Sequence, residues 1–121
     1  MSLRYLIDEC TIAGDLRNAI DRLSSINRVS VDVVWVGDAG APGFGTLDPD
    51  LIAWAIEHDR AIVSFDSNTL IGHYYRVTEA ANPPPLLIRR KGAGIGEIVE
   101  YLILAAHVLG ESEYGQVLYF P

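Results

Sequence analysis

A chain of 121 residues has the size of one domain, so its length argues against a two-lobed enzyme with separate cofactor and substrate domains. Half of the residues are apolar and 21% are charged, which is the composition of a globular protein with a real core. Nine basic and sixteen acidic residues give a net charge of -7. This charge argues against a broad cationic face that coats nucleic acid, but it is compatible with a small basic rim.

The cysteine content and the N-terminal segment bear on the compartment. Cys10 is the single cysteine, so no internal disulfide can form, and no Cys/His cluster offers a zinc site. The acid pair Asp8-Glu9 interrupts the segment in which a signal peptide would need an apolar run, and no window approaches the ~20 apolar residues of a membrane span. We therefore expect a cytoplasmic protein that does not enter a membrane.

The first half of the chain alternates short apolar segments with amphipathic ones. Residues 3–7 predict a buried strand, and apolar residues at helical spacing predict a helix over 11–23. A β-branched strand over 31–36 leads into a loop that contains four glycines. A helix over 48–58 follows, with Asp48 as its expected cap and a proline in its first position.

The second half continues the same alternation. A third strand over 61–65 precedes a helix over 67–81, which three prolines end. A fourth strand is predicted over 85–90, the clearest helical pattern over 95–109, and a fifth strand over 116–120. The predicted fold class is therefore α/β, a three-layer α/β/α sandwich with a mainly parallel five-stranded sheet in one domain over residues 1–121.

Several acidic residues follow predicted strands. Asp8 and Glu9 follow the first strand, Asp38 the second and Asp66 the third, while Asp48 begins a helix. The carboxyl ends of parallel strands share one edge of a sheet, where ligands bind in open α/β folds. Clustered carboxylates are commonly held together by Mg²⁺ or Mn²⁺, so the joint pattern favours a metal site. The alternative is that each acid merely ends a strand or caps a helix.

Three short motifs resemble a known family. LRYLIDEC, LDPDLIAWA and AIVSFDSN are similar to the compact PIN-like domains, relatives of the VapC-type toxin ribonucleases. The chain departs from the family pattern at Cys10, where an asparagine is usual, and at Asn68, where a second acid is frequent. The matching positions are Asp8 and Glu9, Asp48 seven residues before Ala55, and Ser64 with Asp66.

The resemblance implies a metal-dependent endoribonuclease, a hydrolase that cleaves phosphodiester bonds of RNA with Mg²⁺ or Mn²⁺. Asp8, Asp48 and Asp66 would hold the metal, and Glu9 would either order the attacking water or lie in the outer shell of the metal. It further implies a toxin of a toxin–antitoxin pair, with a protein antitoxin as partner and a homodimer as assembly. Asn68 can still offer a carbonyl oxygen to the metal or the substrate, but it contributes no charge.

A basic trio offers the acidic chain a way to hold RNA. Arg89, Arg90 and Lys91 stand between the fourth strand and the last helix, so a parallel strand would bring them to the edge of the carboxylates. Alternate positions of a strand face opposite layers, so only one arginine is expected to reach that edge. The other interpretation of the trio is a solvated charge run.

Two other functions compete with the nuclease. A catalytically silent PIN-like binding module is compatible with the uncharged Asn68. A phosphoacceptor receiver domain shares the alternation and the acids after the first and third strands, but it needs a hydroxyl group after the fourth strand and a lysine after the fifth. Here the fourth strand ends in Arg89-Arg90 and the fifth is followed by Pro121.

Overall fold

The computed structural model of the chain describes residues 2–27, 30–65, 69–90, 92 and 94–120. Strands and helices alternate along these residues, and a short 3₁₀ helix lies before the last strand. The elements are β1 Tyr5–Ile7, α1 Ala13–Asn27, β2 Val33–Trp35, α2 Asp48–Glu57, β3 Ala61–Ser64, α3 Leu70–Thr78, β4 Leu86–Arg89, α4 Ile95–Val108, the 3₁₀ helix Glu111–Glu113 and β5 Val117–Phe120.

The strands form one sheet in which every pairing is parallel. Their order across the sheet is β2-β1-β3-β4-β5. The predicted α/β class with a five-stranded parallel sheet is confirmed. The chain first steps from β1 to β2 on one side and then crosses to β3 on the other side. The order of strands therefore reverses between β1 and β3, which is the position where doubly wound sheets form a ligand crevice.

The core has two layers, one on each face of the sheet. Side chains of a strand alternate between the faces, so Tyr5 and Ile7 pack with α1 and α4 whereas Leu6 packs with α2 and α3. Burial on both faces explains why the strands are almost continuously apolar. The layers are those of a three-layer sandwich, and they leave the carboxyl ends of the strands to the loops.

Several helix boundaries differ from the sequence prediction; α3, for example, ends at Thr78 and not at residue 81. Helix α1 continues past its predicted end to Asn27. Its last turn is no longer amphipathic, since Ile26 in that turn is exposed, so the apolar period could not predict it. Helix α2 has Asp48 as its first helical residue and Leu47 at the cap position, without a side-chain cap. The expectation that Asp48 caps this helix is wrong, because Asp48 is already helical.

In the described part of the chain, no helix combines the length and the apolar character that crossing a membrane requires.

Candidate functional site

The loop after β1 places the first predicted acid at the β1/β3 crevice. The backbone N–H of Asp8 donates to the Val63 carbonyl of β3 at 2.9 Å, which continues the pairing of the two strands to their ends. The N–H of Glu9 then donates to Asp8 Oδ1 at 2.8 Å. Beside them β3 ends in Ser64, which is fully buried. The half-buried Asp8 carboxylate is thus fixed at the edge where a ligand would bind.

Asp48 reaches the same region of the sheet from α2. The hydroxyl of Thr69 donates a hydrogen bond to Asp48 Oδ2. Thr69 is the residue immediately before α3, so this bond joins the start of α2 to the start of α3. The contact gives Asp48 a tertiary role in place of the capping role that the sequence suggested.

Three of the predicted site residues, Asp66, Asn68 and Lys91, lie outside the described residues. Among the residues that the structure does describe, no group of three or more His, Cys, Asp or Glu side chains could hold a metal ion. The predicted metal set of Asp8, Asp48 and Asp66 therefore stays a prediction. Its donors are all carboxylate oxygens, which are the ligands that Mg²⁺ and Mn²⁺ prefer.

Glu9 connects the acid pair to the glycine-rich loop between β2 and α2. Its side chain is exposed, and Oε1 accepts a hydrogen bond from the Gly45 N–H at 3.3 Å. The bond holds this carboxylate against the far end of the loop. Glu9 is therefore placed beside Asp8 but directed to the β2 side of the crevice.

Asp38, the acid after β2, braces the same loop. Its Oδ2 accepts a hydrogen bond from the Trp35 N–H at 3.1 Å, and its Oδ1 forms an ion pair with Arg17 at 2.9 Å. The Arg17 guanidinium lies 4.8 Å from the centre of the Trp35 ring. A backbone contact and a cation thus account for both oxygens of Asp38, which gives this acid a structural role.

A cavity of about 260 Å³ opens between the loop, α1 and the end of β1. Its polar lining includes Asp8, Glu9 and Arg17, and its apolar lining includes Trp35 and Phe44. The sequence analysis missed Phe44 because a lone aromatic in a glycine-rich loop belongs to no helical or strand period. Its place between Gly43 and Gly45 was the available signal.

Cys10 also lines this cavity, and its environment disfavours the thiolate. Burial raises the pKa of the Cys10 thiol above its usual value, and the nearby Asp8 charge adds to the rise. A backbone hydrogen bond at Ile12, the second-largest effect after burial, and the charge of Arg89 lower the pKa without cancelling the rise. A thiol with a raised pKa is a poor nucleophile at neutral pH, so cysteine chemistry is not favoured here.

The two arginines at the end of β4 point to opposite sides of the sheet. The Arg89 guanidinium lies 5.9 Å from the centre of the Phe65 ring, on the face of α1 and α4, and its charge is felt at Cys10. The exposed Arg90 lies 5.0 Å from the ring centre of Tyr119 in β5. Arg89 is therefore the member of the pair that lies near the acid pair.

Comparisons with known protein families, with curated proteins and with solved structures found no match to this chain.

Proposed function

We propose that this chain is a metal-dependent endoribonuclease of PIN-like type. The observation that best supports this proposal is the arrangement of Asp8 and Asp48 around the β1/β3 crevice. Asp8 is bonded through its backbone to β3, and Asp48 is bonded through its side chain to Thr69 at the start of α3. The two acids thus contact residues that precede and follow Asp66 in the sequence, Val63 and Thr69.

The residue types suit phosphodiester hydrolysis. Asp8, Asp48 and Asp66 would hold Mg²⁺ or Mn²⁺, which offsets charge on the phosphoryl oxygens and lowers the pKa of an attacking water. Glu9, kept in place by the Gly45 N–H, would orient that water. Arg89 would attract the phosphate from the β4 side, where its charge also acts on Cys10.

Asp48 offers a test with a matched control in the same helical turn. Asp48 and Asp50 are both acids of the first turn of α2, so each loses a similar helix-dipole interaction when it becomes asparagine. We expect Asp48→Asn to lower metal-dependent cleavage of single-stranded RNA by more than about 100-fold, beyond the loss typical of residues that only orient a metal ligand. Asp50→Asn should cleave like the wild type. Equal activity of the two variants would contradict the assignment of Asp48.

The same variants test metal binding without a cleavage assay. A ligand present at a hundredfold excess over its dissociation constant stabilises the native state by about 2.7 kcal/mol, so Mn²⁺ should raise the melting temperature of the wild type. Asp48→Asn should show a smaller rise, and Asp50→Asn the full one. The site is refuted if the metal raises the melting temperature of all three proteins equally.

A silent binding module is the second outcome of these experiments. It is indicated if the wild type binds RNA but does not cleave it with either metal. A receiver-like phosphoacceptor is less well supported, because β4 ends in Arg89 and continues to Arg90 where that function needs a hydroxyl group. The toxin role, the antitoxin partner and the homodimer remain parts of the proposal that the resemblance alone suggests.

A further inference from the structure

Phe44 is an exposed aromatic side chain whose ring nevertheless packs against the backbone. The residue is 75% exposed, but its ring lies so close to the backbone of Gly37 that a Cβ atom there would come within 2.4 Å of ring atom Cζ. Gly37 has a φ of 97°, a conformation that favours glycine. The loop therefore presents one face of the ring to the solvent while the other rests on backbone.

The cavity beside this ring is small. Its volume of about 260 Å³ lies below the roughly 300–1,000 Å³ typical of sites for whole drug-sized ligands. Trp35 and Phe44 provide apolar walls. The Arg17 guanidinium is held by both Asp38 and Trp35, so it forms a third wall that does not need to be ordered by the ligand.

The cavity adjoins the acid pair. Asp8 and Glu9 line the same cavity, and Glu9 is hydrogen-bonded to Gly45, the residue after Phe44. A group stacked on Phe44 therefore lies directly beside the acid pair. Single-stranded RNA carries flat bases attached to phosphates, and unpaired bases stack on exposed aromatic rings.

We propose that this cavity binds one unpaired base of an RNA substrate, stacked on Phe44, next to the phosphate that the carboxylates address. The inference rests on the proposed ribonuclease function and adds a base subsite to it. Stacking on an aromatic ring tolerates every base, so the subsite would contribute affinity without selecting a sequence.

The experiment measures binding of a short single-stranded RNA in the Asp48→Asn background, which prevents cleavage and leaves the cavity lining intact. Phe44→Ala removes the ring and Phe44→Trp retains an aromatic face. Leu47→Ala is the matched control, because Leu47 is 69% exposed and lies three residues further along the same segment. A second RNA series carries a single abasic nucleotide at each position in turn.

We expect Phe44→Ala to weaken binding roughly tenfold, with Phe44→Trp and Leu47→Ala close to the background protein. One abasic position should weaken binding by a similar factor. For that position the two changes should not add, because each removes the same contact.

Two results would overturn the inference, and they differ. If the wild type cleaves RNA but Phe44→Ala binds as tightly as Leu47→Ala, or adds fully to every abasic change, the base subsite is wrong and the nuclease stands. If the wild type neither binds nor cleaves RNA, the proposed function fails and the subsite fails with it.

Discussion

Gly37 lines the cavity and determines where the Phe44 ring can lie. Its positive φ turns the chain out of β2, and its lack of a side chain lets the Phe44 ring lie against the backbone. Gly40, in the same loop, also has a positive φ, of 81°, but a Cβ there would meet no atom within 4 Å. A comparison of the two positions therefore separates the effect of backbone strain from the effect of contact with the Phe44 ring.

Substituting these two glycines distinguishes the effects. Gly37→Ala and Gly40→Ala should each lower the free energy of unfolding by about 1–2 kcal/mol, because both place a Cβ at positive φ. The extra clash in Gly37→Ala should cost little stability, since the exposed Phe44 ring can swing outward. RNA affinity, measured in the Asp48→Asn background, should fall in Gly37→Ala and not in Gly40→Ala. Equal RNA affinities, with urea unfolding as the stability control, would contradict the role of the Phe44 ring.

Among the described acids, the sequence predicted which strand or helix each one adjoins, but it did not predict their contacts. Asp8 is found at the end of β1 as predicted, because the position of a residue directly after a buried strand is determined by that strand. The partners of Asp38 and Asp48 could not be predicted, since they depend on how a long loop and two helices meet in space. Phe44 was missed for the same reason, because loop residues follow no period.

Among the elements, β4 shows how strand geometry divides a charge run. Arg89 and Arg90 are adjacent in sequence, yet they lie against Phe65 and Tyr119, on opposite sides of the sheet. The alternation of side chains along a strand, from which only one arginine was expected at the acid edge, explains this placement. Lys91, the third member, lies outside the described residues.

The division predicts unequal roles in RNA binding. Each phosphate contact on a single strand contributes a slope of about -0.7 in log affinity against log salt concentration. In the Asp48→Asn background, Arg89→Ala should weaken binding and flatten this slope by about that amount, whereas Arg90→Ala should leave the slope nearly unchanged. Thermal melting of both variants checks that the half-buried Arg89 is not needed for folding. Identical slopes for the two variants would show that Arg89 and Arg90 do not differ in their contribution to RNA binding.

The sequence also predicted the elements better than their arrangement. Hydrophobic period distinguishes a strand from a helix, so every strand and helix of the sheet layers was anticipated. Period does not reveal which strands pair, so the order β2-β1-β3-β4-β5 came only from the structure. The 3₁₀ helix Glu111–Glu113 was not anticipated, because a single turn is too short to show a period.

For the molecule as a whole, two buried tyrosines tie the helical layers to the rest of the fold. Tyr5 of β1 donates its hydroxyl to the Leu102 carbonyl of α4 at 2.7 Å. Tyr74 of α3 donates to the Pro84 carbonyl, also at 2.7 Å. Burial raises the pKa of both hydroxyls above the usual value of 10, and it is the largest cause in each case.

These shifts predict a loss of stability at alkaline pH. The native state holds the two protons more tightly than the unfolded state, so their contribution is complete below pH ~10 and declines as the pH rises further. Each tyrosine should then cost about 1.4 kcal/mol of unfolding free energy per pH unit. Urea unfolding between pH 9 and 11 measures the slope, and Tyr5→Phe or Tyr74→Phe should each make it shallower. A slope that neither substitution changes would mean that other groups control alkaline unfolding.

The strand order also has a consequence for synthesis of the chain. A ribosome delivers the strands from β1 to β5, and each newly made strand can join an open edge, first on one side of β1 and then successively on the other. No late strand has to force its way between two that are already paired. At translation rates of about 5–20 residues per second, the end of β3 emerges roughly one to five seconds before Arg89, and the end of β1 emerges earlier still. The acids that follow β1 and begin α2 therefore leave the ribosome before the arginine of β4.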